Sequence, residues 1–302
     1  MREVLRRYVL PIALTLLPMG LAACSQSTGS GNSGTTSVKP SSVSYESFPS
    51  RDRVERSVSE AMTRTANISF SMSITNVTAV AGSTTIPFPL LTIHAAGPFD
   101  LAKQYGALEL AISGTGSGAG SPSLLNGPAK ALFAAGSLYV LPNSGSVLAG
   151  MLGGRKYGLL TPSAVAGLTG LQPQQAASLV SNPVDFLHVL STPDMTVSSE
   201  GHSSVGGGST EYRATVNLYQ AGTTPSVPRA LFAALESWGI AAVVVHVWVD
   251  GSGYAVRLSS VIDTEARGSI PARTITLRVS LSNFGTTVPP VAVPPASQYA
   301  TL

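Results

Sequence analysis

The segment NISFSMSIT at residues 67–75 alternates strictly between polar and apolar side chains. A period of two places successive side chains on opposite faces of an extended chain, which is typical of a half-buried strand. Ile68, Phe70, Met72 and Ile74 are therefore expected to face a core, while the serines between them face water. The segment predicts a sheet with one apolar face.

Further strands are predicted downstream of this segment, separated by glycine and proline. Upstream, Val54, Val58 and Ala61 recur at helical spacing and predict a helix over 52–66. Two helices are predicted within 162–191 and another over 227–238, and the Pro-rich tail from Thr287 is predicted to be extended. The predicted strands lie at about 89–99, 105–113, 130–141, 156–160, 195–202, 209–219, 241–250, 254–264 and 273–284.

The order of these elements predicts the fold class. Consecutive strands joined by short turns favour an antiparallel sheet, and no strand–helix–strand alternation is visible. We therefore predict one α+β domain, with a long curved antiparallel sheet covered on one face by helices.

The amino terminus carries an export signal. Arg2, Arg6 and Arg7 precede an apolar run at 8–20, which is shorter than the roughly 20 residues a membrane-spanning helix needs. Leu-Ala-Ala-Cys at 21–24 resembles a bacterial lipobox, and the Cys24 thiol is the nucleophile that would accept a diacylglyceryl group. We predict a lipoprotein signal peptide over 1–23, with the mature chain anchored by acylated Cys24 on the outer face of the cell membrane.

Residues 24–46 separate this anchor from the predicted domain at 47–302. They are rich in serine, glycine and threonine and cannot bury apolar surface, so they predict a flexible tether. About 22 such residues span on the order of 25 Å root-mean-square.

Charge is sparse, and it argues against a nucleic-acid partner. Only 11% of the residues are charged, against about 25% in typical globular domains. Removing three arginines and one glutamate with the signal peptide, from 18 basic and 15 acidic residues, leaves 15 and 14. No lysine- or arginine-rich cluster is interleaved with aromatic residues, as nucleic-acid binding would require. Cys24 is the single cysteine, so no intramolecular disulfide can form.

The sequence offers no motif that predicts catalysis, a metal site or a cofactor. The four histidines have no metal-ligand spacing on one helix, and the glycine-rich stretch at 114–118 lacks the residues of a phosphate-binding loop. Residues 201–206 approach the nucleophile elbow of hydrolases around Ser203, but Val205 stands where a glycine is required. The four histidines are His94, His188, His202 and His246.

Several stretches, taken in order, resemble the LppX/LprAFG family of actinobacterial lipoproteins in the wider LolA-like superfamily. The resemblance covers residues 45–298 loosely and departs from the family at a Gly/Ser-rich insert near 114–122. The stretches are the lipobox, the opening helix leading into Ile68-Ser-Phe-Ser-Met, NPVDFL at 182–187, EYRATVNL at 211–218, VHVWVD at 245–250 with Gly253 and VRL at 256–258, and LSNFG at 281–285 followed by VPP at 288–290.

This resemblance implies a half-barrel whose concave face and covering helices enclose an apolar pocket for acyl chains. It also implies that members carry or hand over lipids and lipoglycans, with envelope transport proteins as partners. Candidate pocket-lining residues are Phe70, Met72, Ile74, Leu108, Leu110, Leu138 and Trp248.

Each candidate has a simpler alternative. The aliphatic residues and Phe70 would equally serve as packed core. His246 and Trp248 share one face of the strand at 241–250, opposite Val245 and Val247, where they would offer a polar handle for a lipid head group or pack as a satisfied histidine beside a tryptophan.

Three functions follow from these observations. The first is a membrane-tethered lipid-binding module without catalytic activity. The second is a protein-interaction or sensor lipoprotein on the same scaffold, with no ligand cavity. The third, a hydrolase, rests on the incomplete motif at Ser203 alone.

Overall fold

A computed structural model describes residues 50–80, 84–114, 124–169, 173–180, 184–191, 195–202, 208–218, 233, 235–266 and 272–302. These residues belong to one compact unit, Ser47–Leu302. The predicted signal peptide, Cys24 and the tether lie outside the described residues. So do Ser203 and most of the helix predicted over 227–238.

The described residues form one large open mixed sheet of 12 strands with few helices. The strand order is β12-β6-β5-β4-β3-β2-β1-β11-β10-β9-β8-β7, so β1 lies near the middle and β12 and β7 are the edges. The strands are β1 Thr65–Val80, β2 Thr84–Asp100, β3 Tyr105–Gly114, β4 Ala129–Ala134, β5 Ser137–Leu141, β6 Tyr157–Leu160, β7 Met195–His202, β8 Thr210–Asn217, β9 Ala242–Val249, β10 Ala255–Thr264, β11 Arg273–Ser282 and β12 Tyr299–Thr301.

The described helices are short apart from the first. None of them is both long and apolar enough to cross a bilayer. They are α1 Ser50–Met62, α2 Val147–Met151, α3 Pro162–Thr169, α4 Pro173–Val180 and α5 Asp185–His188, with 3₁₀ turns at Val189–Ser191 and Ala296–Gln298.

Alternation along the strands gives the sheet two faces of different character. In β1, Ile68, Met72 and Ile74 are buried, and the same pattern recurs in β11, where alternate residues from Ile275 to Leu281 are buried and Arg278 is exposed. We call the face that carries these buried residues the inner face and the opposite one the outer face. The core therefore lies against the inner face.

Helix α1 covers part of the inner face. It packs against β7 to β10 through Val54, Val58 and Ala61, which are completely buried. The sequence places these residues at i, i+4 and i+7, so they form one stripe along the helix. The helix begins at Ser50 and ends at Met62, earlier than predicted, because β1 already starts at Thr65.

The prediction of an all-antiparallel sheet is wrong at its edge. The tail predicted as extended from Thr287 ends in β12, which pairs in parallel with β6 and makes the sheet mixed. Leu302 packs over Gly158 of β6, where a Cβ atom would lie 2.8 Å from the leucine Cδ1. A small residue in β6 therefore makes room for the docked tail.

The single strand predicted over 130–141 is a hairpin of β4 and β5 instead. Ala135 and Gly136 form its turn, with φ angles of 50° and 71°. Positive φ at both central residues is the conformation that matches the twist of the paired strands. Alanine adopts it at a steric cost, so this turn carries none of the usual Asn-Gly signal.

Candidate functional site

Six of the seven candidate lining residues lie on the inner face. Phe70, Met72 and Ile74 of β1 are paired with Val279, Leu277 and Ile275 of β11 and, on the other side, with Ala95, Ile93 and Leu91 of β2. The apolar rows therefore continue across the neighbouring strands β11, β1 and β2.

The inner face continues through β3 and β4 to β5. Leu110 of β3 lies opposite Ala95, and Leu108 lies opposite Ala131 of β4. Leu138 of β5 lies opposite Phe133. The inward-facing side chains of these strands therefore form one continuous apolar surface.

The six residues differ in how completely the protein covers them. Met72, Ile74, Leu108 and Leu110 are buried, with exposed fractions of 0–4%. Phe70 and Leu138 are partly buried and pack against the same core. The two side chains that retain exposed surface are therefore the ones best placed to contact a ligand.

A polar corner closes one end of the inner face. Arg273, the first residue of β11, is 9% exposed and continues the inward-facing row of Ile275 and Leu277. Its Nε donates a hydrogen bond to Oδ1 of Asn76, 3.2 Å away, and its Cζ lies 5.9 Å from the ring centroid of Trp238. Burial lowers the pKa of the Arg273 guanidinium below its usual value.

Sequence reasoning missed this corner, although a signal was present. The stretch RTITLRVSLS at 273–282 alternates, and its inward-facing positions hold Arg273 followed by four aliphatic residues. Arginine at a position of the apolar face is unusual, because buried charges need partners.

Trp248 lies on the outer face, apart from the other six candidates. Alternation in β9 points Val245, Val247 and Val249 inward, so His246 and Trp248 must point outward. The Trp248 ring stacks with His246 at a centroid distance of 6.2 Å, and the guanidinium of Arg257 lies over it at 5.0 Å. Trp248 is therefore not a lining residue of the inner face.

The outer face also brings together the described residues that could hold a metal ion. Nδ1 of His246 lies 2.9 Å from Oε1 of Glu211 and 3.9 Å from Oε2 of Glu200. The ligand atoms of all three residues lie within 4.8 Å of one another. They come from β7, β8 and β9. No spacing along the chain therefore indicated that these three residues lie together. A histidine and two carboxylates form a donor set that suits a divalent transition metal.

An open depression of about 420 Å³ lies at one end of β9 and β10. Ile240, Val244, Val261, Asp263 and Glu265 are among its lining residues. None of the seven candidates lines it, and two carboxylates do. This depression is therefore a poor site for an acyl chain.

Comparison with known proteins places this chain in no family. No protein-family model matches it, and no curated protein is significantly similar. Membership of the LppX/LprAFG family therefore stays a prediction from the residues quoted above.

Solved structures show loose similarity. Lipovitellin, in a structure that concerns its lipid–protein interactions, matches with a TM-score of 0.31 and 10% identity over 78% of this chain, which spans 27% of the lipovitellin chain. A putative outer membrane lipoprotein-sorting protein domain from Vibrio parahaemolyticus matches with a TM-score of 0.23 and 6% identity over 76% of this chain and 89% of that domain. At these scores the likeness decides neither fold nor function.

Proposed function

We propose that this protein is a cell-envelope lipoprotein that binds acyl-chain lipids or lipoglycans against the inner face of its sheet, without catalysing a reaction. Acylated Cys24 holds it at the outer face of the cell membrane, and the domain carries or hands over its ligand there. The observation that carries this proposal is the continuous apolar inner face, which runs across β11, β1, β2, β3, β4 and β5.

The energetics of this face favour an acyl ligand. Each CH₂ group that leaves water for an apolar surface contributes about 0.8 kcal/mol. A long chain therefore binds without any polar contact, provided that the helices over the inner face leave room for it. Phe70 is only partly buried on this face, so it keeps surface that such a chain could contact.

A fluorescent fatty acid tests this function. The full chain with Cys24→Ser, which removes its own lipid, is titrated with 11-(dansylamino)undecanoic acid. Phe70→Asp places a charge on the inner face, and we expect it to weaken binding by about tenfold or more. Ser71→Asp, the neighbouring residue on the outer face, is the matched control and should leave binding unchanged. Absence of probe binding to the parent chain, or equal losses in both variants, would contradict the proposal.

A second candidate function has an observation in its favour. Four of the six inner candidates are already buried by the protein's own side chains, as expected for a filled core. In that case the protein is a tethered interaction or sensor module with no ligand cavity. It would take up no probe, and native mass spectrometry would detect only the ligand-free chain. The hydrolase hypothesis is tested separately, since Ser203→Ala would abolish any esterase activity that depends on this residue.

A further inference from the structure

Two buried nitrogen donors at the polar corner of the inner face have no hydrogen-bond acceptor in the described part of the chain. They are Nη1 of Arg273 and Nε1 of Trp238. Arg273 and Trp238 are 9% and 8% exposed, and the guanidinium carbon lies 5.9 Å from the indole ring centroid. Buried donors are nearly always paired in folded proteins, so two neighbouring exceptions call for an acceptor.

The described residues around Arg273 supply one hydrogen-bond acceptor for its guanidinium but no counter-charge. Nε is satisfied by the neutral amide of Asn76. None of the ion pairs among the described residues includes Arg273. Asp263, on the neighbouring strand, accepts a hydrogen bond from Thr274 and belongs to the outer face. A buried positive charge without a counter-charge is costly, and an anion beside it would offset that cost.

The polar corner lies at one end of the apolar surface. Arg273 ends the inward-facing row that continues through Ile275, Leu277, Val279 and Leu281. The residues paired with Arg273 on the two neighbouring strands, Asn76 of β1 and Thr264 of β10, are also polar. A ligand lying along the inner face with its chain over the aliphatic residues would bring a terminal polar group to Arg273.

We propose that Arg273 and Trp238 bind the anionic head group of the acyl ligand, a carboxylate or a phosphate, through Nη1 and Nε1. This inference rests on the proposed function and specifies its ligand class. A planar guanidinium fits two oxygens of either group, and the hydrogen bonds gain strength from the charges on both partners. The indole N–H is a second unpaired donor at the same corner.

A pair of probes that differ only in head-group charge tests the inference. The full chain with Cys24→Ser is titrated with 11-(dansylamino)undecanoic acid and with its methyl ester. We expect Arg273→Gln to weaken binding of the acid by about tenfold or more and to leave the ester within about twofold. Arg278→Gln removes an exposed arginine from the outer face of the same strand and is the matched control, with no effect on either probe.

Two further variants guard against a failure of Arg273→Gln to fold, which thermal melting would reveal. Arg273→Lys keeps the charge but loses the fork of donors, and Trp238→Phe keeps the ring but loses the N–H. Both should weaken the acid more than the ester. Competition then identifies the source of the anion, since lysophosphatidic acid should displace the acid probe whereas inorganic phosphate alone should not.

The outcomes separate this inference from the function on which it rests. Equal loss of acid and ester, or unchanged acid binding in all three corner variants, would overturn the head-group assignment while leaving lipid binding in place. Displacement by inorganic phosphate alone would overturn it as well, because the site would then be an anion site unrelated to a lipid. If neither probe binds the parent chain, both proposals fail.

Discussion

Ile74 shows how a single side chain contributes to this fold. It is completely buried on the inner face, between Ile275 of β11 and Leu91 of β2. The residues before and after it, Ser73 and Thr75, point to the outer face and are only partly covered. Along β1, buried apolar side chains therefore alternate with partly exposed polar ones.

This alternation predicts a sharp contrast between neighbouring substitutions. We expect Ile74→Ala to lower the free energy of unfolding by about 2–5 kcal/mol, because it removes buried methyl groups and leaves a cavity. Ser73→Ala, on the other face, should change it by less than about 0.5 kcal/mol. Urea denaturation of the two variants measures the difference, and equal effects would contradict the placement of the two faces.

The pair formed by His246 and Trp248 shows what residue chemistry alone leaves open. Their shared strand face could be deduced from alternation, but its orientation toward or away from the core could not. The structure places them outward, with Glu211 of β8 beside the histidine and Arg257 of β10 over the indole. Four polar or aromatic side chains from three strands thus lie together on the outer face, where Trp248 is buried and the other three are partly buried.

Among the helices, α5 carries a titratable group whose environment affects stability. His188 lies at its carboxyl end, and burial lowers the pKa of its imidazole below the usual value. The unfolded chain therefore binds this proton more tightly than the folded protein does. The contribution of His188 to stability is complete above about pH 6.5, the ordinary histidine pKa, and is lost as the pH falls through the lower folded value.

The lowered pKa of His188 predicts a measurable dependence of stability on pH. We expect the free energy of unfolding to fall between about pH 7 and about pH 5, and we expect His188→Gln to make that fall smaller. Glutamine keeps hydrogen-bonding capacity without titrating in this range. Thermal or urea unfolding at several pH values measures the effect. An identical pH profile in the variant would mean that His188 does not contribute to it.

Many strands were predictable because the chain carries local signals for them. Alternation at 67–75 located β1. Asp250 lies between the strands predicted at 241–250 and 254–264, and its Oδ1 accepts hydrogen bonds from the N–H groups of Ser252 and Tyr254. Such Asx turns are a local property of the sequence.

The missed elements lack such signals. Ala135 and Gly136 form a turn in which the usual asparagine is absent. Strand β12 has three residues, and only its pairing with β6 makes it a strand. Helix α3 depends on Thr161, whose hydroxyl accepts a hydrogen bond from the N–H of Ala164 and donates one to the carbonyl of Leu302. The pairing of β12 with β6 and the hydrogen bond from Thr161 to Leu302 join segments far apart in the sequence.

The same distinction applies to the candidate site. Six inner-face residues could be chosen from alternation alone, because strand faces are encoded locally. Alternation could have placed Arg273 on this face, but it could not show that Asn76 and Trp238, from two other segments, lie beside it. The group of Glu200, Glu211 and His246 was not predictable from the sequence for the same reason, because strand pairing brings these three residues together.

At the scale of the whole sheet, the described strands leave two edges, β7 and β12, that could pair with other chains. The edge strand β7 has a register shift between Ser199 and Gly201, and the residue between them, Glu200, is an exposed charge. The other edge, β12, is only three residues long. Bulges, charges and short strands at edges all oppose edge-to-edge association, which allows the long sheet to stay open.

An open sheet with an apolar inner face is the physical basis of the proposed function. Photoaffinity labelling of the full chain, carrying Cys24→Ser, with a fatty acid that bears a diazirine near the end of its chain tests this basis most directly. Digestion and mass spectrometry then locate the labelled residues. The account predicts labels on inward-facing residues of β1, β2, β3 and β11, with Phe70 foremost, and loss of these labels when unlabelled fatty acid competes. Labels confined to outer-face residues such as Ser71 and Trp248, or no competed label at all, would contradict it.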